Sequence, residues 1–185
     1  MALPENPAAN GMLWRIDLDG RCDAVVTGLH TANGLAFAPD GRTLYLSDSH
    51  PEVRTIYALD YNPATGIASR QRTFVRTHEL AGRPDGGCVD RDGGYWMAAV
   101  DGWSLLRFTI EGRLDTSIRF PVEKPSKACF GGAKLDTLYV TSLRRSVRAP
   151  LSAQPRAGSL FAVQPGRIGI SLPYCAVTFA PNTRR

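Results

Sequence analysis

The chain has no apolar run approaching the ~18 residues that a membrane-spanning helix needs. A transmembrane anchor, and a membrane as partner, are therefore not expected. Its start, Met1-Ala2-Leu3-Pro4-Glu5-Asn6-Pro7, carries neither a basic stretch nor an apolar one. No secretory leader is visible there, and a cytoplasmic setting is expected. The four cysteines, Cys22, Cys88, Cys129 and Cys175, never form a CxxC pair, which removes the usual signature of a structural zinc site. In the cytosol they are expected as free thiols, with Cys88 and Cys129 buried on neighbouring strands. No segment sustains a 3.6-residue apolar period, so helices should be few. No Gly-x-Ser-x-Gly turn is present either, and Ser47, Ser49 and Ser126 lack the context of a nucleophile for an acyl–enzyme route. The net charge of +5 comes from basic residues scattered singly. The densest groups, Arg144-Arg145 with Arg148 and Arg184-Arg185, have no interleaved aromatics, so nucleic acid is not expected as a partner.

What is present is turn-rich and repetitive. The 185 residues are enough for one domain with a sizeable core, and 43% hydrophobic with 21% charged residues is ordinary for a globular chain. Eighteen glycines and 13 prolines favour many short elements. Leu13 to Leu18 alternates as a half-buried strand does, and Asp19-Gly20 turns it into Cys22 to Val26. A longer pattern then occurs three times. It runs from Asn33-Gly34-Leu35-Ala36-Phe37 through Asp40-Gly41 to Thr43 to Asp48. It returns from Arg83-Pro84-Asp85-Gly86-Gly87-Cys88-Val89 through Asp92-Gly93 to Tyr95 to Ala99. A degraded copy runs from Ser126-Lys127-Ala128-Cys129-Phe130-Gly131-Gly132 to Thr137 to Ser142. Between the copies, Thr55 to Tyr61 with Arg70 to Val75, and Leu105 to Ile110 with Thr116 to Phe120, supply two further strands each. Ser159 to Val163 follows the third copy, and Ile168 to Val177 is expected as a last strand.

Tyr45, Trp96 and Tyr139 occupy matching positions, 51 and 43 residues apart. Four short strands per unit of about 40–45 residues is the sequence signature of a β-propeller. The expected fold is all-β: a single domain over residues 1–185, forming an incomplete ring of about three and a half blades.

At these motifs the sequence resembles the regucalcin/gluconolactonase family, which also includes senescence marker protein and luciferin-regenerating enzyme-like members. The likeness rests on Thr31 to Gly41 with Tyr45 to Ser49, on Arg83-Pro84-Asp85-Gly86, on Cys129-Phe130-Gly131-Gly132 with Leu138 to Ser142, and on Ala157 to Val163. It covers about residues 12 to 170. The resemblance implies a six-bladed propeller holding one divalent cation in its central channel, and hydrolysis of sugar lactones or related esters. It implies that Asn33 and Asp85 are metal ligands and that Asp85 is the general base. It also implies that the family's first blades, with an N-terminal Glu ligand, precede the matched region; Glu5 does not sit in that ligand's context.

The residues alone agree with part of this. Asn33 and Asp85 are each followed by glycine at corresponding repeat positions, so both can face one ion. An amide oxygen and a carboxylate are hard donors suited to calcium or magnesium and tolerated by zinc or manganese. Each by itself also reads as an ordinary turn residue. His50, after the inner strand of its unit, is a candidate for the mouth of the channel. Lys127, at the position matching Asn33 and Asp85, is a candidate contact for a substrate oxygen. Two functions fit: metal-dependent hydrolysis of a small lactone, or a non-catalytic propeller fragment acting as scaffold or interaction module. Exposed sheet edges around Leu13 to Leu18 make self-association an expected property.

Overall fold

A computed structural model describes residues 8–145 and 148–174. Thirteen strands are laid out in four antiparallel sheets that follow one another in chain order. The first sheet pairs β1 (Gly11–Ile16) with β2 (Cys22–Leu29). The second runs β3 (Ala32–Phe37), β4 (Thr43–Asp48), β5 (Thr55–Asn62), β6 (Ile67–Arg76). The third runs β7 (Arg83–Val89), β8 (Tyr95–Val100), β9 (Ser104–Phe108), β10 (Leu114–Arg119). The fourth has β11 (Pro125–Gly131), β12 (Thr137–Ser142) and the short β13 (Phe161–Val163). One 3₁₀ turn, Leu151–Ala153, is the sole helical element among the described residues, and no helix is long and apolar enough to cross a membrane.

Asp40-Gly41, Asp92-Gly93 and Glu111-Gly112 each sit in a five-residue link that turns one strand back onto the next. The repeat seen in the sequence is structural. Tyr45 pairs with Ala36, Trp96 with Cys88 and Tyr139 with Cys129, so the three motif copies form the first two strands of three successive sheets. Each of these first strands shifts register near its start, between Asn33 and Ala36, between Pro84 and Gly87, and between Pro125 and Lys127. Such an irregularity re-aims the side chains beside it.

The cores lie between the sheets. Leu44, Leu46 and Leu59 meet Val26 and Leu29 of the first sheet. Tyr45 and Ile56 face the other way, onto Tyr95, Met97, Ala99 and Phe108. Trp96, Ala98 and Leu105 then face Ala128, Leu138 and Val140 of the fourth sheet. Strand β8 is buried along its whole length because alternate residues supply two different cores. By contrast, β1 alternates half-buried and exposed, and its outer face shows Met12, Trp14 and Ile16 to solvent.

Behind the β7–β8 turn sits the most saturated carboxylate of the chain. Asp90 has no exposed surface and accepts hydrogen bonds from the backbone of Asp92 and Gly94, from Trp96 Nε1 at 2.8 Å and from Arg107 Nε at 2.7 Å. Arg107 also reaches Asp115 at 2.7 Å, which carries the network to β10.

Two expectations are corrected. Cys129 is exposed rather than buried, because it borders an open cleft with Phe37 and Leu172, which are themselves exposed. Cys88 is half-buried, its thiol pushed up to about 12 by burial, and both are free thiols. Over Ile168–Tyr174 no strand forms; only Gly169 bridges to Asp90. Cys175 and the rest of that expected strand lie outside the described residues, as does Glu5.

Replacing Asp90 by Ala leaves Arg107 and the Trp96 N–H without their buried acceptor. The expected cost is about 3–5 kcal/mol in urea-unfolding free energy. Asp115→Asn, at a part-exposed pair, should cost about 1 kcal/mol or less. Equal costs would refute the central place given to Asp90.

Candidate functional site

Because the strands alternate in direction, the start of β3, β7 and β11, the β4–β5 and β8–β9 loops and the exit of β12 all lie at one end of the sheets. There they enclose a cleft of about 340 Å³ lined by Thr31, Asn33, Ser49, Arg83, Asp85, Val100, Lys124, Leu143, Arg144 and Arg145. Asn33 and Asp85, paired in the sequence reading through their repeat positions, thus meet in one cleft from different sheets.

Asn33 is fixed by its neighbours. Ser49 Oγ donates to Thr31 O at 3.2 Å, so its lone pair is free to accept from Asn33 Nδ2 at 2.8 Å. That bond uses the amide nitrogen and leaves the amide oxygen available to the cleft. Gly34 beside it has φ +65°, and a Cβ there would meet Ser47 Oγ and Tyr95 Oη at 2.5 Å. Tyr95 Oη in turn donates to Gly34 O at 2.7 Å, tying the bulge to the third sheet. The glycine of the Asn-Gly pair is therefore required by both conformation and close packing.

Asp85 is the opposite case. No hydrogen bond reaches its carboxylate among the described residues, although nearby Asp101 and Asn33 are both bonded. Burial, the largest influence, pushes its pKa up to about 6; Arg83 opposes this and the charge of Asp101 adds to it. A raised, unspent carboxylate beside an oriented amide oxygen fits a hard divalent cation as two of its ligands. No cluster of three His, Cys, Asp or Glu side chains suited to a metal occurs among the described residues.

Around this pair lies a cation–carboxylate–cation bridge that the sequence did not reveal. Asp101 Oδ2 accepts from Arg83 Nε at 3.2 Å and Nη2 at 3.1 Å, and its Oδ1 accepts from Lys124 Nζ. Burial alone would raise Asp101, but its bonds to Lys124 and Arg83 hold it below the ordinary carboxylate range. Asp101 adopts φ 70° and Trp103 φ 57° in the β8–β9 loop. Two non-glycine residues in the left-handed region mark a loop held by its contacts rather than by local preference. Arg83 also donates to Ser49 O at 3.1 Å, joining the bridge to the residue that orients Asn33.

The other two candidates do not line this cleft, although Lys127 borders an adjoining one with Asn33 and Gly86. His50 is 5% exposed, its ring 5.0 Å from that of His30, and its backbone N–H binds the buried Asp48. Burial would raise Asp48, yet backbone donors from His30, His50 and Thr31 hold it below the usual carboxylate range, so this cluster fixes the ends of β3 and β4. Lys127 pairs with Thr141 as Asn33 pairs with Ser47, which upholds the repeat match, but its ammonium turns to Gly87 O.

Residues 1–144 match the family described as SMP-30/Gluconolactonase/LRE-like region. The chain is 36% identical over 90% of its length to a 6-deoxy-6-sulfogluconolactonase of Pseudomonas putida, covering 55% of that protein. It is 37% identical over 72% of its length to the pentonolactonase XacC of Haloferax volcanii, covering 45% of it. Among solved structures, a luciferin-regenerating enzyme superposes with a TM-score of 0.81 at 28% identity, over 92% of this chain and 56% of that one. The chain therefore spans about half the length of the curated relatives it matches.

The raised pKa of Asp85 has a thermodynamic signature in metal-free solution. The folded chain keeps a proton to about 6 that the unfolded chain gives up near 3.8, so stability falls as pH rises through that interval. In the presence of chelator, Asp85→Asn should be more stable than the parent at pH 7.5 by about 1 kcal/mol, with no gain at pH 3.5. Equal unfolding midpoints at pH 7.5 would refute the assignment.

Proposed function

The chain belongs to the SMP-30/gluconolactonase/LRE-like family, and from that membership and the cleft we propose that it works in the metal-assisted hydrolysis of a small sugar lactone. The observation that carries this is the convergence of Asn33 and Asp85, from two different sheets, on one cleft with a free amide oxygen and an unpaired carboxylate. In this reading residues 1–185 form one propeller domain, its four sheets corresponding to about three and a half blades of a six-bladed ring.

Asn33 Oδ1 and Asp85 would hold the cation, calcium or zinc by preference, with magnesium or manganese also accommodated by such oxygen donors. When bound, the cation supplies Lewis-acid polarisation of the lactone carbonyl and a lowered pKa for water. Asp85, as general base, takes the proton of the attacking water while the new C–O bond forms at the carbonyl carbon. The ring C–O bond then breaks, and its oxygen leaves as a hydroxyl by taking from Asp85 the proton that came from the water. Ser49 keeps the amide of Asn33 in register, as outer residues do for metal ligands. Lys127, held at Gly87 O, contributes positive charge near Asp85, and His50 supports the rim through Asp48. The names of the relatives, a sulfogluconolactonase and a pentonolactonase, support a sugar lactone as the class of substrate.

The test is acid release from gluconolactone and a pentonolactone, followed at constant pH with calcium, zinc or chelator. Cation-dependent turnover is expected, with Asp85→Ala losing about 100-fold or more and Ser49→Ala binding the cation about tenfold more weakly by calorimetry. A rate no greater than spontaneous hydrolysis with either cation would overturn the reading. The apolar outer face of β1, with Met12 and Trp14, further supports self-association, and a monodisperse monomer by light scattering would count against it.

A further inference from the structure

The cleft beside Asp85 carries more positive charge than a neutral lactone needs. Four of its ten lining residues, Arg83, Lys124, Arg144 and Arg145, are cationic, and Asp85 is the one acid among them. Asp101 behind them is a single carboxylate shared by both Arg83 and Lys124. Arg144 and Arg145 are exposed, and neither makes an ion pair or a side-chain hydrogen bond among the described residues.

Their position is built by the fold. Leu143 N donates to Lys124 O at 2.9 Å, which fastens the exit of β12 to the base of the cleft. The stem of Arg144 lies against Gly158, where a Cβ would meet Arg144 Cβ at 3.2 Å. Beyond the pair, the buried Glu123 accepts from the backbone of Arg148 at 2.7 Å and of Ala149 at 2.8 Å. The buried Gln154 accepts from Glu123 N at 2.9 Å and donates to Ala149 O at 2.9 Å. The chain is therefore clamped before Arg144 and after Arg145, and both guanidinium groups are left at the cleft. Guanidinium groups are suited to the oxygens of a phosphate, sulfonate or carboxylate, which they bind through paired N–H donors.

We propose that Arg144 and Arg145 form an anion subsite of this cleft, which selects lactones bearing a negatively charged substituent away from the reacting carbonyl. The proposal rests on the lactonase reading of the same site and adds the charge class of the substrate. Arg83 and Lys124 are held by Asp101 and shape the floor, while Arg144 and Arg145 meet the substituent.

The test separates binding from turnover. With calcium present and low salt, gluconate and gluconate 6-phosphate are titrated calorimetrically into the purified chain; the two share one carboxylate and differ in the distal anion. The phosphorylated probe is expected to bind about tenfold tighter, and that ratio should shrink at about 0.5 M salt. In the double variant Arg144→Gln/Arg145→Gln the ratio should fall to about twofold or less. Arg113→Gln, on the far β9–β10 turn, should keep the parent ratio. Equal affinities in the parent chain, no binding of either probe, or an unchanged ratio in the double variant would each overturn the proposal. A preserved preference for the phosphorylated probe, with no turnover of gluconolactone or its 6-phosphate, would uphold the anion subsite and sink the lactonase reading instead.

Discussion

The third sheet depends on one buried carboxylate. Asp90 gathers the β7–β8 turn, the indole of Trp96 and the guanidinium of Arg107, and through Arg107 it reaches Asp115 on β10. Its bridge to Gly169 and the Arg167–Asp92 pair bring the later chain onto the same corner. Burying a charge is costly unless it is paired and hydrogen-bonded, and here five donors meet it. From that corner β7 and β8 pair toward the opposite end, where β7 shifts register beside Asp85 and where Arg83 and Asp101 are ion-paired. The cleft end is thus joined, along β7 and β8, to an ion pair at the opposite corner.

Much of this was legible in the sequence, for identifiable reasons. Strands repeat with period two and turns with Asp-Gly, so the three motif copies could be aligned by Tyr45, Trp96 and Tyr139, and the structure keeps that alignment in its cross-strand pairs. Asn33 and Asp85 emerged because identical repeat positions in a stacked array must converge at one end. The bridge of Arg83, Asp101 and Lys124 did not emerge, since it joins residues from three separate segments and no spacing rule links them. Ser49 was seen as a serine without a nucleophile's setting, and its part in orienting an amide became visible through a hydrogen bond. Cys129 shows the reverse error. Adjacency to a motif says where a residue lies along the strand, while its exposure depends on what the neighbouring sheet presents.

The carboxylates of the chain differ in how they are treated. Asp90 is saturated with donors, and at Asp48 and Asp101 donors hold the carboxyl below the usual range. At the cleft end Asp85 is left without a donor and its pKa is driven up by burial. Ser47 Oγ and Glu123 Oε1, also near this end, likewise lack a partner among the described residues, so the local consistency kept elsewhere is relaxed around the cleft. The left-handed conformations of Asp101 and Trp103 fall in the same loop region.

Strand β8 carries a consequence of a different kind. Since Tyr95, Met97 and Ala99 belong to one core and Trp96 and Ala98 to the next, residues adjacent in sequence are strangers in packing, and residues two apart are companions. Inherited variation along this strand should therefore travel in two interleaved lanes: a change at Trp96 is compensated at Ala98 or Leu138, and a change at Met97 at Tyr45 or Leu106. Each lane can drift without consulting the other, so the interface on one side of the sheet can be remodelled while that on the other is kept.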